Sequence, residues 1–400
     1  MIDVKHIAKY HAAQNIPLNF DEAYELGRYL IEGCNGNNLA QVQTVALLSA
    51  LHNIATYNHD GESDHFVLQH ECIFPRNASE QIAGLCAAVF KEDIEKSEFG
   101  YIKPNVPYVI DNCGMGGDLI TTANVSTISA LIAATDQIYM LKHGSPANAD
   151  QGRHGSSDFV SMLGIDTLQS KESLERSVEL ECFGYSEALD TRYKQIHQQT
   201  HSFAMLPHMN DIIGPITNPA YPGLMTKRIL GINHIIPPKI VAEAYKILNE
   251  KGLTNLRHGL FVRGYLYEDS YEGVDEVSIC EGGTLVAELK DGEITERKIF
   301  AEDFGIKAVD PTGITPPTNM SKGDFSLGIL REENHGPARR MVLANAALLF
   351  YLDGRSESLS ECYQIAESVF QGGRVYEKAQ SLTPSRISQK RGAFANLILG

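Results

Sequence analysis

An α/β fold with a helical N-terminal part is what this sequence predicts, on three observations. Apolar residues recur at helical spacing through residues 20–55, and short apolar runs alternate with amphipathic stretches from Tyr108 onward. The segment GGTLVAELKDGEITERKIF (282–300) alternates apolar and polar residues about Asp291-Gly292.

Taken along the chain, the first stretch reads as a helical hairpin, with Asp21 as N-cap and Gly33 and Gly36 as breaks. Residues 59–76 are polar and carry His59, His65 and His70; lacking a fixed ligand spacing, they read as a solvated loop rather than a zinc site. YVID (108–111) is a short β-type run that ends in a Gly-rich turn. NVSTISALIAA (124–134) then reads as an apolar helix opened by polar residues. QIYMLKHG (137–144) is a second strand and loop, SDFVSMLGI (157–165) a second helix and HGLFVRG (258–264) a third strand. Asp291-Gly292 marks a tight hairpin, and residues 336–378 return to amphipathic helices. There is no internal repeat and no low-complexity linker.

The chain has 400 residues, which allows two or three domains at roughly 100–200 residues each. Its formal net charge of −16 opposes the phosphate backbone of nucleic acids, and the densest basic stretch, residues 386–391, is short. No run approaches the roughly 18 apolar residues a membrane span requires, and the first residues lack the apolar core of a signal peptide. A cytoplasmic protein is therefore expected. Seven scattered cysteines without a C-x-x-C pair point to reduced, packed thiols.

Five short motifs carry the chemistry. In DNCGMGGD (111–118), directly after a strand, Gly114, Gly116 and Gly117 let the backbone approach a bulky anion and turn amides toward it. The same glycines could also just make a tight turn. Asp118, at the end of such a cradle, needs a cation or sugar hydroxyls as partner. Asn124, Ser126 and Thr127 stand at the start of the following helix, either as caps or as contacts to phosphate or metal. Lys142, followed by His143 and Gly144 at the end of the next strand, would bring a cation to the same side of a parallel sheet. The adjacent acids Asp275 and Glu276 suit magnesium, which prefers carboxylates and water. GSSD (155–158) offers Ser156 as cap or phosphate contact.

In this order and combination the motifs resemble those of the anthranilate phosphoribosyltransferases, within the nucleoside phosphorylase and phosphoribosyltransferase superfamily. The resemblance runs from about residue 20 to 378. It rests on GMGGD (114–118, where the family has G-T-G-G-D), NVST (124–127), KHG (142–144), GSSD (155–158), IIGPITNP (212–219), GVDEVS (273–278), VAELKDGEI (286–294) and GPARRMVLANAA (336–347). It implies a small all-helical domain, residues 1–100 completed by helices near 190–208. Residues 101–400 would form a larger α/β domain around a mixed, mostly parallel sheet flanked by helices, with the active site in the cleft between the two.

The resemblance further implies 5-phosphoribosyl 1-pyrophosphate as donor, with pyrophosphate on the 114–117 backbone and with Asn124, Thr127, Lys142 and Ser156 near phosphate and ribose. Magnesium would be held by Ser126, Asp275 and Glu276, and Lys142 and Asp118 would carry the transfer. His143, Gly144, Ser145 and Arg192 would meet the acceptor, anthranilate, and the chain would be a homodimer. Several acceptor features depart from the family. Ser145 stands where the family has Asn, the stretch THSFAMLPHMNDIIGP (200–215) lacks the family's arginine, and residues 191–194 replace a His-Pro-Ala-Met-Lys stretch. Arg192, Lys194 or His201 could supply a cation instead. Residues 59–76 look inserted and the loop at 145–154 looks long. A relative using the same donor with another small aromatic nitrogen acceptor is one alternative. A non-catalytic nucleic-acid binder is another, disfavoured by the intact GMGGD and the paired acids. A pyrimidine nucleoside phosphorylase shares the fold but lacks those paired acids.

Overall fold

A computed structural model describes residues 11, 17–33, 38–56, 78–118, 120–146, 155–190, 192–193, 195–201, 203, 206–268 and 273–384. Three N-terminal helices, α1 (Phe20–Gly33), α2 (Asn38–Thr56) and α3 (Ala78–Ala88), come first, and α3 runs on into a π-helical turn, Val89–Ile94. The cap of α1 is Asn19 rather than Asp21. Asn19 Oδ1 accepts from the Glu22 amide at 3.0 Å while Glu22 Oε2 accepts from the Asn19 amide at 3.1 Å, a reciprocal box one turn deep. Asp21 lies inside the first turn, where its charge faces the positive helix end. Helices α7 (Gln195–His201) and α8 (Asn210–Ile216) join this group, α7 against α1 and α2 and α8 against α3.

The remaining elements build one sheet. In chain order they are β1 (Val109–Gly114), α4 (Val125–Thr135), β2 (Met140–Gly144), α5 (Ser156–Met162), α6 (Lys171–Glu181), β3 (Phe183–Glu187), β4 (Met225–Gly231), α9 (Pro238–Glu250), β5 (His258–Tyr265), β6 (Gly273–Val274), β7 (Thr284–Lys290) and β8 (Glu293–Ile299). Helices α10 (Lys322–Leu330), α11 (Pro337–Asp353), α12 (Leu359–Phe370) and α13 (Arg374–Ser381) follow. The strand order is β3-β2-β1-β4-β5-β7-β8, with β6 paired to β5. The first five strands are parallel and β7 and β8 close antiparallel, so the sheet is mixed and mostly parallel, as expected. Asp291 and Gly292 both take positive φ, the turn geometry that the Asp-Gly pair signals.

Period-two alternation divides the core between the two faces. Ile110, Ile229, Leu260 and Val262 join α4 and α11 on one face. Val109, Leu230 and Phe261 join α3 and α9 on the other. Strands β3 and β4 escape the sequence reading because neither shows a plain apolar run. β4 carries Arg228 in its centre, fully buried and paired with Asp111 of β1 at 2.7 Å. Cys86, Cys113, Cys182, Cys280 and Cys362 are free and buried, as expected of reduced thiols. Cys34, Cys72, residues 59–76, Lys194 and residues 147–154 lie outside the described residues. Among the described residues, no helix is long and apolar enough to cross a membrane.

Candidate active site

A cleft of about 380 Å³ opens at the carboxyl ends of β1, β2 and β3, where open parallel sheets bind ligands. Residues of the sheet and of α4 and α10 line one side, and those of α7 and α8 line the other.

On the sheet side, β1 ends in the Gly-rich loop. A Cβ on Gly114 would fall inside the Asp275 carboxylate, so only glycine permits that approach. Gly116 and Gly117 adopt positive φ of 76° and 82°, and the Gly116 amide donates to Asp275 Oδ2 at 2.6 Å. The loop thus turns one amide toward an anionic group, here the carboxylate of Asp275. The Asp275 amide in turn donates to Asp118 Oδ1 at 2.8 Å. Loop 114–118 and segment 273–278 thus lock together, although about 160 residues separate them (|i−j| of 159 and 157 for the two bonds).

Asp118, Asp275 and Glu276 crowd three carboxylates into one place. Burial, and then the neighbouring Asp275, push the Glu276 carboxyl up to about 8 and raise Asp118 as well. A divalent cation relieves that strain. Among the described residues, no three His, Cys, Asp or Glu side chains form a cage able to hold a metal by themselves. The carboxylate oxygens of Asp275 and Glu276 are the donor type a hard ion such as magnesium prefers, with water and substrate oxygens as further ligands. Ser126 stands beside it, its amide donating to Glu276 Oε1 at 3.2 Å.

Lys142, at the end of β2, is almost fully buried, and its Nζ donates to Asn112 O at 2.6 Å and to Ser126 Oγ at 3.2 Å. Burial lowers its pKa, against the pull of the surrounding acids. The next residue, His143, is positioned by the buried ion pair: its amide donates to Asp111 Oδ1 at 3.0 Å while Oδ2 pairs with Arg228. Gly144, Ser145 and Ser156 also line the cleft, with Ser156 Oγ 2.9 Å from Tyr185 Oη and 3.3 Å from Ser145 O. Asn124 lines the cleft without capping α4. Its amide and its Nδ2 both donate to Ser326 Oγ of α10, at 2.8 and 3.1 Å.

Two expected residues are elsewhere. Thr127 is fully buried behind the lining, one turn into α4. Arg192 does not reach the cleft: its guanidinium pairs with Asp190, donates to Gln169 O at 2.9 Å and stacks on Phe99 at 4.5 Å. An acidic partner two positions earlier turns the cation away from the acceptor side.

Lys322, on the first turn of α10, lines the cleft near Glu276 and escaped the sequence reading, since no local pattern marks it. The helical side brings His197, Thr200, His201, His208, Asn210 and Asp211 to the lining. Of these only His201 was a candidate. No arginine lines the cleft among the described residues.

Comparison with known proteins is consistent with this geometry. Residues 106–376 match the model of the glycosyl transferase family, a/b domain. Anthranilate phosphoribosyltransferase of Nitrosomonas europaea is 27% identical over 369 residues, covering 91% of this chain and 92% of that protein. The Nitrosospira multiformis enzyme of the same name is 30% identical over 285 residues, 71% of this chain and 77% of the relative. Among solved structures, anthranilate phosphoribosyltransferase from Thermus thermophilus superposes with a TM-score of 0.71 at 24% identity, covering 94% of this chain and 98% of that one. The Saccharomyces cerevisiae enzyme in complex with PRPP and Mg superposes at 0.69 and 18% identity, covering 97% and 99%.

Proposed function

Because this chain belongs to the glycosyl transferase family, and within it to the anthranilate phosphoribosyltransferases, we propose that it transfers the phosphoribosyl group of 5-phosphoribosyl 1-pyrophosphate to anthranilate. The bond from the anomeric carbon to the pyrophosphate oxygen breaks, and pyrophosphate leaves with the electron pair. A bond to the anthranilate nitrogen forms, and that nitrogen loses a proton. The observation that carries this reading is the convergence of an anion-holding glycine loop, a buried lysine and three crowded carboxylates in one cleft.

In this reading the pyrophosphate lies against the backbone of the 114–117 loop, while Asn124, Lys142 and Ser156 face phosphate and ribose. Ser126, Asp275 and Glu276 hold magnesium. When bound, that ion neutralises charge that builds on the leaving group. The chain's own residues position the reactants and supply fixed charge in a partly water-excluded cleft. Asp118 braces the Asp275 segment, and Lys142 places its cation beside the anomeric centre. His143, Gly144 and Ser145 face the acceptor. Family membership also supports a homodimer, a cytoplasmic location, and a helical unit of residues 1–100 and 190–208 packed on an α/β unit.

The deciding experiment mixes the protein with magnesium, the donor and anthranilate and follows product by mass spectrometry. Phosphoribosyl anthranilate is the expected product. Absence of product at millimolar substrates, with donor binding intact by calorimetry, would overturn the acceptor.

A further inference from the structure

The helical side of the cleft contains a buried imidazole that nothing in the donor chemistry uses. His208 sits one residue before Met209, which opens α8, and is 3% exposed. Asp211, one turn on, holds it in place: the His208 amide donates to Asp211 Oδ2 at 3.0 Å, and His208 Nδ1 lies 3.2 Å from Oδ1. Both ring nitrogens are buried and without a hydrogen bond among the described residues, Nδ1 beside the Asp211 carboxylate and Nε2 beyond it, in a residue that lines the cleft. A buried ring nitrogen left unpaired is costly. Here a ligand group arriving in the cleft can satisfy it.

The lining contains two lysines and no arginine among the described residues; Lys142 is engaged with Asn112 and Ser126, and Lys322 lies near Glu276. We propose that His208, oriented by Asp211, donates from Nε2 to the carboxylate of the acceptor, so that an imidazolium held between two carboxylates takes the place of a guanidinium. This rests on the proposed function, which supplies an acceptor bearing a carboxylate. The imidazolium form donates from both ring nitrogens, toward Asp211 through Nδ1 and toward the acceptor carboxylate through Nε2. Acceptor affinity through that form therefore falls as pH rises.

The charged and titratable neighbours permit that state. Asp211, which burial pushes up and His208 pulls back down, is the facing acid. From α2 comes His52, held down to about 4 by burial and therefore neutral above that pH. From α7 come His197 and His201, which line the same wall. From α3 the uncharged Gln81 reaches the adjacent Met209 Sδ at 3.7 Å.

The test uses anthranilate's own fluorescence for equilibrium binding to the whole protein at pH 6 to 8.5, together with steady-state kinetics. Wild-type affinity is expected to fall as pH rises. His208→Asn should weaken anthranilate binding roughly tenfold or more at pH 6, abolish the pH dependence, and leave the donor KM within about twofold. Asp211→Asn should move the loss of affinity to lower pH. Anthranilamide, which lacks the carboxylate, should bind His208→Asn as well as it binds wild type. A His208→Asn protein with unchanged anthranilate affinity and pH profile overturns the assignment, as does equal weakening of acceptor and donor. Wild type that binds no anthranilate overturns it too. In that case calorimetry with donor and magnesium reports separately whether the phosphoribosyl transferase reading stands.

Discussion

The two sides of the cleft are built on opposite plans. On the sheet side nearly every polar group is already engaged by another element: the Gly116 amide by Asp275, the Asp275 amide by Asp118, Lys142 by Asn112 and Ser126, and the His143 amide by Asp111. On the helical side Asn210 Nδ2 is likewise engaged, by Thr200 Oγ1 at 2.8 Å, but both ring nitrogens of the buried His208 lack a hydrogen bond among the described residues. Preorganised charge suits a highly charged donor whose phosphates must be met by groups that do not rearrange. A single adjustable imidazole suits a small acceptor bound through one carboxylate. One cleft can thus treat donor and acceptor by different rules.

Breaking the sheet side should have the largest consequence. Asp275→Asn combined with Glu276→Gln is expected to reduce turnover by about 10³-fold or more, with an unchanged far-UV circular dichroism spectrum. Full activity of the double variant would remove the acids from the metal site. Next in size is the ion pair beneath that side. Arg228→Met leaves Asp111 charged and buried without its partner, and urea unfolding should report a loss of about 3–5 kcal/mol. His143 should shift with it, so acceptor KM should rise as well.

Response to pH contrasts the two sides directly. Burial, and then the neighbouring Asp275, push the Glu276 carboxyl up to about 8 from a usual 4.5. Between those values the folded form keeps a proton that the unfolded form has lost, and stability falls as pH rises. Burial, and then the neighbouring His208, hold the His52 imidazole down to about 4 from a usual 6.5. There the unfolded chain gains the proton first, so that contribution is complete above pH 6.5 and is lost as pH falls toward 4. Melting temperatures of metal-free protein should show both limbs. Glu276→Gln should flatten the alkaline limb and His52→Gln the acid one, and a variant that flattens the wrong limb would reverse the assignment. The smallest effect is expected at Arg192. Its guanidinium is partly exposed and lies outside the cleft, but Asp190 is buried and loses its partner, so Arg192→Ala should cost about 1–3 kcal/mol and leave acceptor KM unchanged.

Legibility in the sequence divides along the same line. Gly114, Gly116, Gly117, Asp118, Asn124, Ser126, Lys142, His143, Asp275 and Glu276 could be picked out before any coordinates and all line the cleft. They occupy short loops and helix starts directly after strands, where backbone chemistry and residue type are tied together over a few positions. Thr127 shares the NVST motif yet turns inward, because one residue's advance along a helix rotates the side chain by about 100°. Lys322, His197, His208 and Asp211 carry no local mark. Their part in the cleft exists only once α7, α8 and α10 have packed. β4 stayed hidden because an arginine in a strand looks exposed until its partner on β1 is known.

What the sequence determined by itself, then, is the material of the sheet side: the glycine loop, the polar helix starts and the acids, and the alternation of strands and helices that sends them to one edge of a sheet. The tertiary structure alone decided which cations serve the cleft. It turned Arg192 toward Asp190, sank Arg228 against Asp111, brought Lys322 in from α10 and faced His208 inward. The physical reason is range. A backbone cradle is specified by residues within one turn, whereas the direction a charge faces is set by the nearest opposite charge in space, and that partner can stand anywhere in the chain.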